Sequence, residues 1–99
     1  MKRNRYKLSR NYKWLKKLLD AGLDVVCFVD YKCDGMVFRD VCMARFEPRE
    51  DKDFEHYSIG VRGIEYLRFT PSNTKYEHYP KSFEEMMRLH NVEFIEIEQ

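Results

Sequence analysis

The stretch DVVCFVDYKCDGMVFRDVCMARFE, residues 24–47, decides the fold. Val25 to Val29 is a run of β-branched and aromatic residues, and Asp34-Gly35 is a strong signal for a two-residue hairpin turn. With that turn in place Cys33 pairs with Met36, and counting outward fixes the register. Asp30 then faces Arg39, Phe28 faces Val41, Cys27 faces Cys42, Val26 faces Met43 and Asp24 faces Arg45. Two opposite-charge pairs arise without adjustment, which supports this register. It sorts the side chains into two faces. Val25, Cys27, Val29, Tyr31, Met36, Phe38, Cys42, Ala44 and Phe46 form the more apolar face and should meet the core. Val26, Phe28, Val41 and Met43 form the centre of the other, inside a rim of Asp24, Arg45, Asp30 and Arg39.

Before the hairpin, Leu8, Tyr12, Leu15 and Leu19 recur at the spacing of one helical stripe, which predicts a helix over 10–21. Ser9 or Asn11 caps its start, and Gly22 suits the left-handed position after its end. After the hairpin, EPREDKD reads as a polar loop. FEHYSIGV and GIEYLRF read as two strands that meet at a bend near Gly63. TPSNTKYEHYP is a long irregular segment, and Ser82 with Glu85 makes a capping box for a short helix. VEFIEIEQ closes the chain as a strand, with Ile95 and Ile97 predicted inward. The expected fold is α+β, in the order α-β-β-β-β-α-β. It is a mainly antiparallel sheet of four to five strands with two helices on one face.

Ninety-nine residues make a single domain, residues 1–99, with residues 1–8 expected as a basic, flexible tail. No run of eighteen apolar residues exists, so no membrane helix is expected. Three cysteines, Cys27, Cys33 and Cys42, are too few and too odd in number for a disulfide scaffold, which points to free thiols in a reducing cytoplasm. The net charge of +1 hides an asymmetry. Residues 1–19 hold eight bases and no acid, while the remaining ten bases and all seventeen acids leave −7 on residues 20–99.

The sequence carries no zinc-ligand spacing, no phosphate-cradling glycine loop and no nucleophile motif, so neither a metal nor another cofactor is expected, nor a catalytic residue. Asp40 is the odd carboxylate, since the register sets it on the core face opposite Val29. It is either an acid–base group together with His56, or a side chain turned to solvent by a β-bulge or satisfied by a buried hydrogen bond from a tyrosine or histidine.

Three surfaces suit a partner. The first is the patch of Val26, Phe28, Val41 and Met43 with Arg39 and Arg45 at its rim, which has the anatomy of a protein or homodimer interface. The second is the aromatic loop with Tyr76, His78 and Tyr79. The third is the basic head of Lys2, Arg3, Arg5, Lys7, Arg10, Lys13 and Lys17, with Trp14 available for stacking, which suits nucleic acid or another anionic surface. The leading expectation is a small non-catalytic interaction module, of the inhibitor or accessory-subunit type, which binds a protein through the sheet face and the aromatic loop. Nucleic-acid binding through the basic head is the alternative.

The strand order through the first four strands resembles a cystatin-like arrangement, in which an antiparallel sheet cradles one helix. The helix–strands–helix order is also similar to the double-stranded-RNA-binding domain. That family starts its second helix with several lysines, whereas PKSFEEMM offers Lys81 alone followed by two glutamates, and the likeness stops there.

Overall fold

The computed structural model describes residues 5–48, 50 and 54–98. It is an α+β fold with one six-stranded, fully antiparallel sheet and two helices. The strands are β1 (Arg5–Ser9), β2 (Val25–Cys33), β3 (Met36–Glu47), β4 (His56–Val61), β5 (Ile64–Phe69) and β6 (Glu93–Glu98). The helices are α1 (Tyr12–Asp20) and α2 (Phe83–Leu89). In space the strands run β1-β6-β2-β3-β4-β5.

The β2–β3 hairpin has the register expected from the Asp34-Gly35 turn, from Cys33 opposite Met36 to Val25 opposite Ala44. Asp34 and Gly35 both take positive φ, 50° and 78°, the backbone that a tight hairpin of this twist requires. Asp24 and Arg45, just past the paired residues, stand 4.0 Å apart.

The sheet has six strands where four to five are expected, and the unforeseen strand is β1. The spacing places Leu8 on the first helical stripe and residues 1–8 in a basic tail. Instead, Arg5–Ser9 pairs along β6, with Leu8 opposite Ile95. A basic five-residue strand with one apolar residue per turn of pleat has the same spacing signature as a helix approach, and only its partner at the far end of the chain distinguishes the two. Helix α1 therefore starts later, at Tyr12. The Asn11 side chain caps it, accepting from the Trp14 amide at 3.3 Å. Its end closes with Gly22 at φ 85°, donating to the Leu19 carbonyl.

The core lies on one face of the sheet. Val25, Cys27, Val29, Cys42, Ala44, Tyr57, Ile59, Leu67, Phe69 and Phe94 come from the strands, and Tyr12, Leu15, Leu19, Phe83, Met86 and Met87 from the two helices. These residues form a single cluster, so both helices share this face. Leu89, at the end of α2, is exposed. The Ser82 hydroxyl accepts from the Glu85 amide at 3.1 Å, which is the N-cap half of the expected box, while the Glu85 carboxylate accepts from the amide of Lys81, one residue before the cap, at 2.7 Å. Two long-range hydrogen bonds fasten α1. Tyr12 Oη donates to the Val92 carbonyl and Tyr57 Oη donates to Asp20, both at 2.5 Å.

In β6 the expectation is reversed. Phe94, fully buried, is the inward residue, while Ile95 points to the opposite face with Leu8 beside it. The side chain of Ile97 lies outside the described residues. The pattern E-F-I-E-I-E offers two alternating readings. The Phe94–Cys27 pairing selects the one that buries the larger ring.

Candidate functional site

Among the described residues, no helix covers the second face of the sheet. Val26 and Phe28 on β2 and Val41 and Met43 on β3 stand there as expected, with Ile95 on β6 and Leu8 on β1 extending the strip. Leu8 is 52% exposed, Val41 51% and Met43 38%. The face thus carries more apolar surface than the four residues singled out from the sequence. Leu8 joins it because residues 5–9 form a strand, and Ile95 because β6 faces the opposite way from the expectation.

The two rim arginines have different roles. Arg39 is already engaged. Its Nε donates to Asp30 at 2.8 Å, one terminal nitrogen to Glu93 at 2.7 Å and the other to the Asn91 carbonyl at 3.1 Å. The Asn91 amide in turn donates to Asp30 at 2.8 Å. These bonds join β2, β3 and β6, and they hold the Asp30 carboxyl below its ordinary range, the Asn91 bond contributing most and Arg39 next. Arg39 is therefore a structural clasp as well as a rim residue. Arg45 is more than half exposed and has only the 4.0 Å approach to Asp24.

Toward β5 the face hollows into a groove of about 410 Å³, lined by Val26, Val41, Met43, Arg45, Ser58 and Gly60 among others. The hollow follows from a β-bulge. Ile59 pairs with Leu67 and Gly60 with Glu65, so Tyr66 is the extra residue. Gly60 is required here, because a Cβ would come within 2.3 Å of the Ile64 carbonyl oxygen. At one end of the groove Glu47 and Glu65 flank His56, whose Nε2 lies 3.3 and 4.0 Å from their carboxylates and whose Nδ1 lies 2.9 Å from the Phe54 carbonyl.

The bulge also aims Tyr66 at the helix-bearing face. There its hydroxyl donates to Asp40 at 3.1 Å and its ring stacks on Tyr31, centroids 4.5 Å apart. Asp40 is thus satisfied by a tyrosine, one of the two outcomes its sequence position allowed. Partial loss of water, with the Asp40 bond second, pushes the Tyr66 phenol up to about 12. Asp40 and His56 occupy opposite faces of the sheet and share no site.

The aromatic loop is not part of the open face. Tyr79 stacks on the core ring Phe69, accepts from the Thr70 amide at 2.7 Å and donates to the Arg68 carbonyl at 3.2 Å. It is a brace on the helix side, while Tyr76 and His78 are exposed beyond a 3-10 turn, Pro71–Lys75. The proposed union of sheet face and loop into one surface is therefore corrected, because packing of Tyr79 on Phe69 draws the loop to the other side of the molecule.

The basic head is also divided. Lys2 and Arg3 lie outside the described residues, as does the side chain of Arg5. Lys7 sits on β1 and has an interaction of its own. Arg10 lies 3.5 Å from Glu93. Lys13, Trp14 and Lys17 remain exposed on the outer side of α1.

Among the described residues, no group of three acidic, histidine or cysteine side chains is arranged to hold a metal ion, and no helix is long and apolar enough to cross a membrane. The three cysteines are free thiols. Compared with known proteins, the chain matches no family model, no curated protein and no solved structure.

Proposed function

We propose that this chain is a non-catalytic binding module that docks a protein partner on the open face of its sheet. One observation carries the reading: Leu8, Val41 and Met43 are exposed on a face without helices, contiguous with Val26, Phe28 and Ile95. An apolar strip inside a charged rim is costly to leave in water, and it is the anatomy of a protein interface. A second copy of the chain would fit the same description. The three free thiols support a reducing compartment such as the cytoplasm.

A photo-crosslinking residue placed at Val41 or Met43 tests this in cells of the native host. Both side chains are already exposed, so the fold tolerates the change. Discrete protein adducts that resist nuclease are expected from these positions and not from Lys13 on α1. An adduct of twice the chain's mass would identify the partner as a second copy. Adducts from Lys13 alone, or their loss on nuclease treatment, would overturn the reading.

A second reading, nucleic-acid binding, is favoured by the exposed trio Lys13, Trp14 and Lys17 on a helix with no acid in its first turn. Three residues make a small footprint, so binding with a salt slope of about one or two is the most this surface supports. Charge reversal at Lys13 and Lys17 should abolish it.

A further inference from the structure

The groove on the open face has a chemical polarity that narrows the partner. Across strands β3, β4 and β5 the register aligns Met43, Gly60 and Glu65 in one row and Arg45, Ser58 and Arg68 in the next. Ser58 is 8% exposed, yet its hydroxyl makes no hydrogen bond among the described residues. No described side-chain oxygen is both fully buried and unpaired, so this hydroxyl opens into the groove that Ser58 lines. A nearly buried hydroxyl with no protein partner can donate to a ligand in that groove.

The charges around it are unequally satisfied. Glu65 holds Arg68 at 2.7 Å, and Glu47 lies 3.3 Å from His56 Nε2, an ion pair only when the imidazole is protonated. Arg45 has only its loose, exposed approach to Asp24 at 4.0 Å, which is worth little. Arg62 lines the same groove and makes no ion pair among the described residues. Arg45, paired directly opposite Ser58 on β3, is therefore the loosely held charge next to this hydroxyl donor. At the other end, Val26, Val41 and Met43 supply an apolar floor.

Resting on the protein-binding reading above, we propose that the groove takes an extended partner segment bearing a carboxylate side chain two residues from an aliphatic or aromatic one. The carboxylate accepts from Ser58 Oγ and from the Arg45 guanidinium, and the apolar side chain lies on Val41 and Met43. The spacing is set by the chain itself. Met43 and Arg45 are an i, i+2 pair on β3, roughly 6.7 Å apart, and alternate residues of an extended partner repeat at the same distance.

The test uses the full chain, labelled with nitrogen-15, and two blocked hexapeptides of alternating threonine. One has leucine and glutamate at alternate remaining positions, and the other has lysine in place of glutamate. Amide shifts centred on Met43, Arg45, Ser58 and Gly60 are expected with the glutamate peptide, which should bind about tenfold more tightly than the lysine peptide. Ser58→Ala should weaken the glutamate peptide about tenfold, and Arg45→Glu should reverse the preference. Equal binding of the two peptides, shifts elsewhere on the molecule, or no shift at millimolar peptide would overturn the proposal. The peptide comparison in the unaltered chain stands even if a variant fails to fold. Crosslinking from Val41 is independent of this charge preference, so adducts there without peptide selectivity would reject the acidic partner segment and leave the docking face intact.

Discussion

Replacing Gly60 with alanine isolates the bulge that shapes the groove. An ideal Cβ at this position lies 2.3 Å from the Ile64 carbonyl oxygen and 3.0 Å from Glu65 Cα, both backbone atoms. A carbon–oxygen approach is normally no closer than about 3.3 Å, so β5 must retreat by about 1 Å. Overpacking of this kind costs about 1–3 kcal/mol, and strained or broken ladder hydrogen bonds add about 1 kcal/mol. Alanine restricts the unfolded chain and returns about 0.4–1 kcal/mol, which leaves a net loss of about 2–3 kcal/mol. Gly63 provides the control within the same hairpin. It has φ 80° and nothing within 4 Å of its added Cβ. Alanine there costs only the left-handed backbone, about 1–2 kcal/mol before the same entropic return. Urea unfolding with an unchanged m value should therefore find Gly60→Ala less stable than Gly63→Ala by about 1.5 kcal/mol, or roughly 6–12 °C in Tm. A second readout is chemical. If β5 shifts, Tyr66 loses its alignment on Asp40 and Tyr31, and its phenol should titrate below about 12 in Gly60→Ala alone. Equal stability of the two variants would refute the idea that backbone contact, rather than backbone conformation, demands glycine at position 60.

Three further outcomes are expected. Tyr12→Phe deletes the buried hydrogen bond to the Val92 carbonyl, which joins residues 80 apart. It should cost about 1–3 kcal/mol in urea unfolding, with native amide spectra retained outside α1 and the start of β6. Asn91→Gly keeps the positive φ of 50° at no strain but removes the strongest bond on Asp30. Asp30 has a folded pKa below its unfolded one, so its stabilisation is complete above about pH 4 and is lost as pH falls through the folded value. The stability gap between the variant and the unaltered chain, measured from pH 7 down to pH 2, should therefore shrink in acid. Finally, burial pushes the Cys27 thiol up to about 12 and the Cys42 thiol up to about 11, whereas Cys33 is exposed at the hairpin tip. A thiol reagent at pH 8 should label Cys33 at once and the other two only on unfolding.

The centre of the sheet was legible because its evidence is local. Asp34-Gly35 sets a register within two residues of itself, and Asp30–Arg39 and Asp24–Arg45 check it. Capping signals at Asn11 and Ser82 are equally local. What escaped the sequence depends on partners distant in the chain. Strand β1 is recognisable only against β6, nearly ninety residues away, and Leu8 could serve a helix or a strand equally well. The facing of β6 turned on which of Phe94 and Ile95 had room on the helix side. Tyr79 read as a contact residue because nothing in its own segment announces Phe69. The groove was invisible for the same reason. It arises where a bulge in β5 meets a glycine in β4, and Ser58 gains significance only once the arginines opposite it are known.

The emptiness of the second face follows from the topology. Strands β1 and β2 both lie antiparallel to β6, so they are parallel to each other, and α1 is the crossover between them. Strands β5 and β6 are likewise parallel, and α2 lies in the connection between them. The first crossover steps one way across the sheet, and the second steps back across strands running in the opposite direction. Reversing both the step and the strand direction is a half-turn about the sheet normal, which leaves the face unchanged. Two crossovers of the same right-handed sense must therefore place both helices on one side. With the helices committed, burying the opposite face would need another segment. The described chain has none, yet Leu8, Ile95, Val41 and Met43 stand on that face where polar residues would serve folding as well. These side chains are the surface on which the proposed protein docking rests.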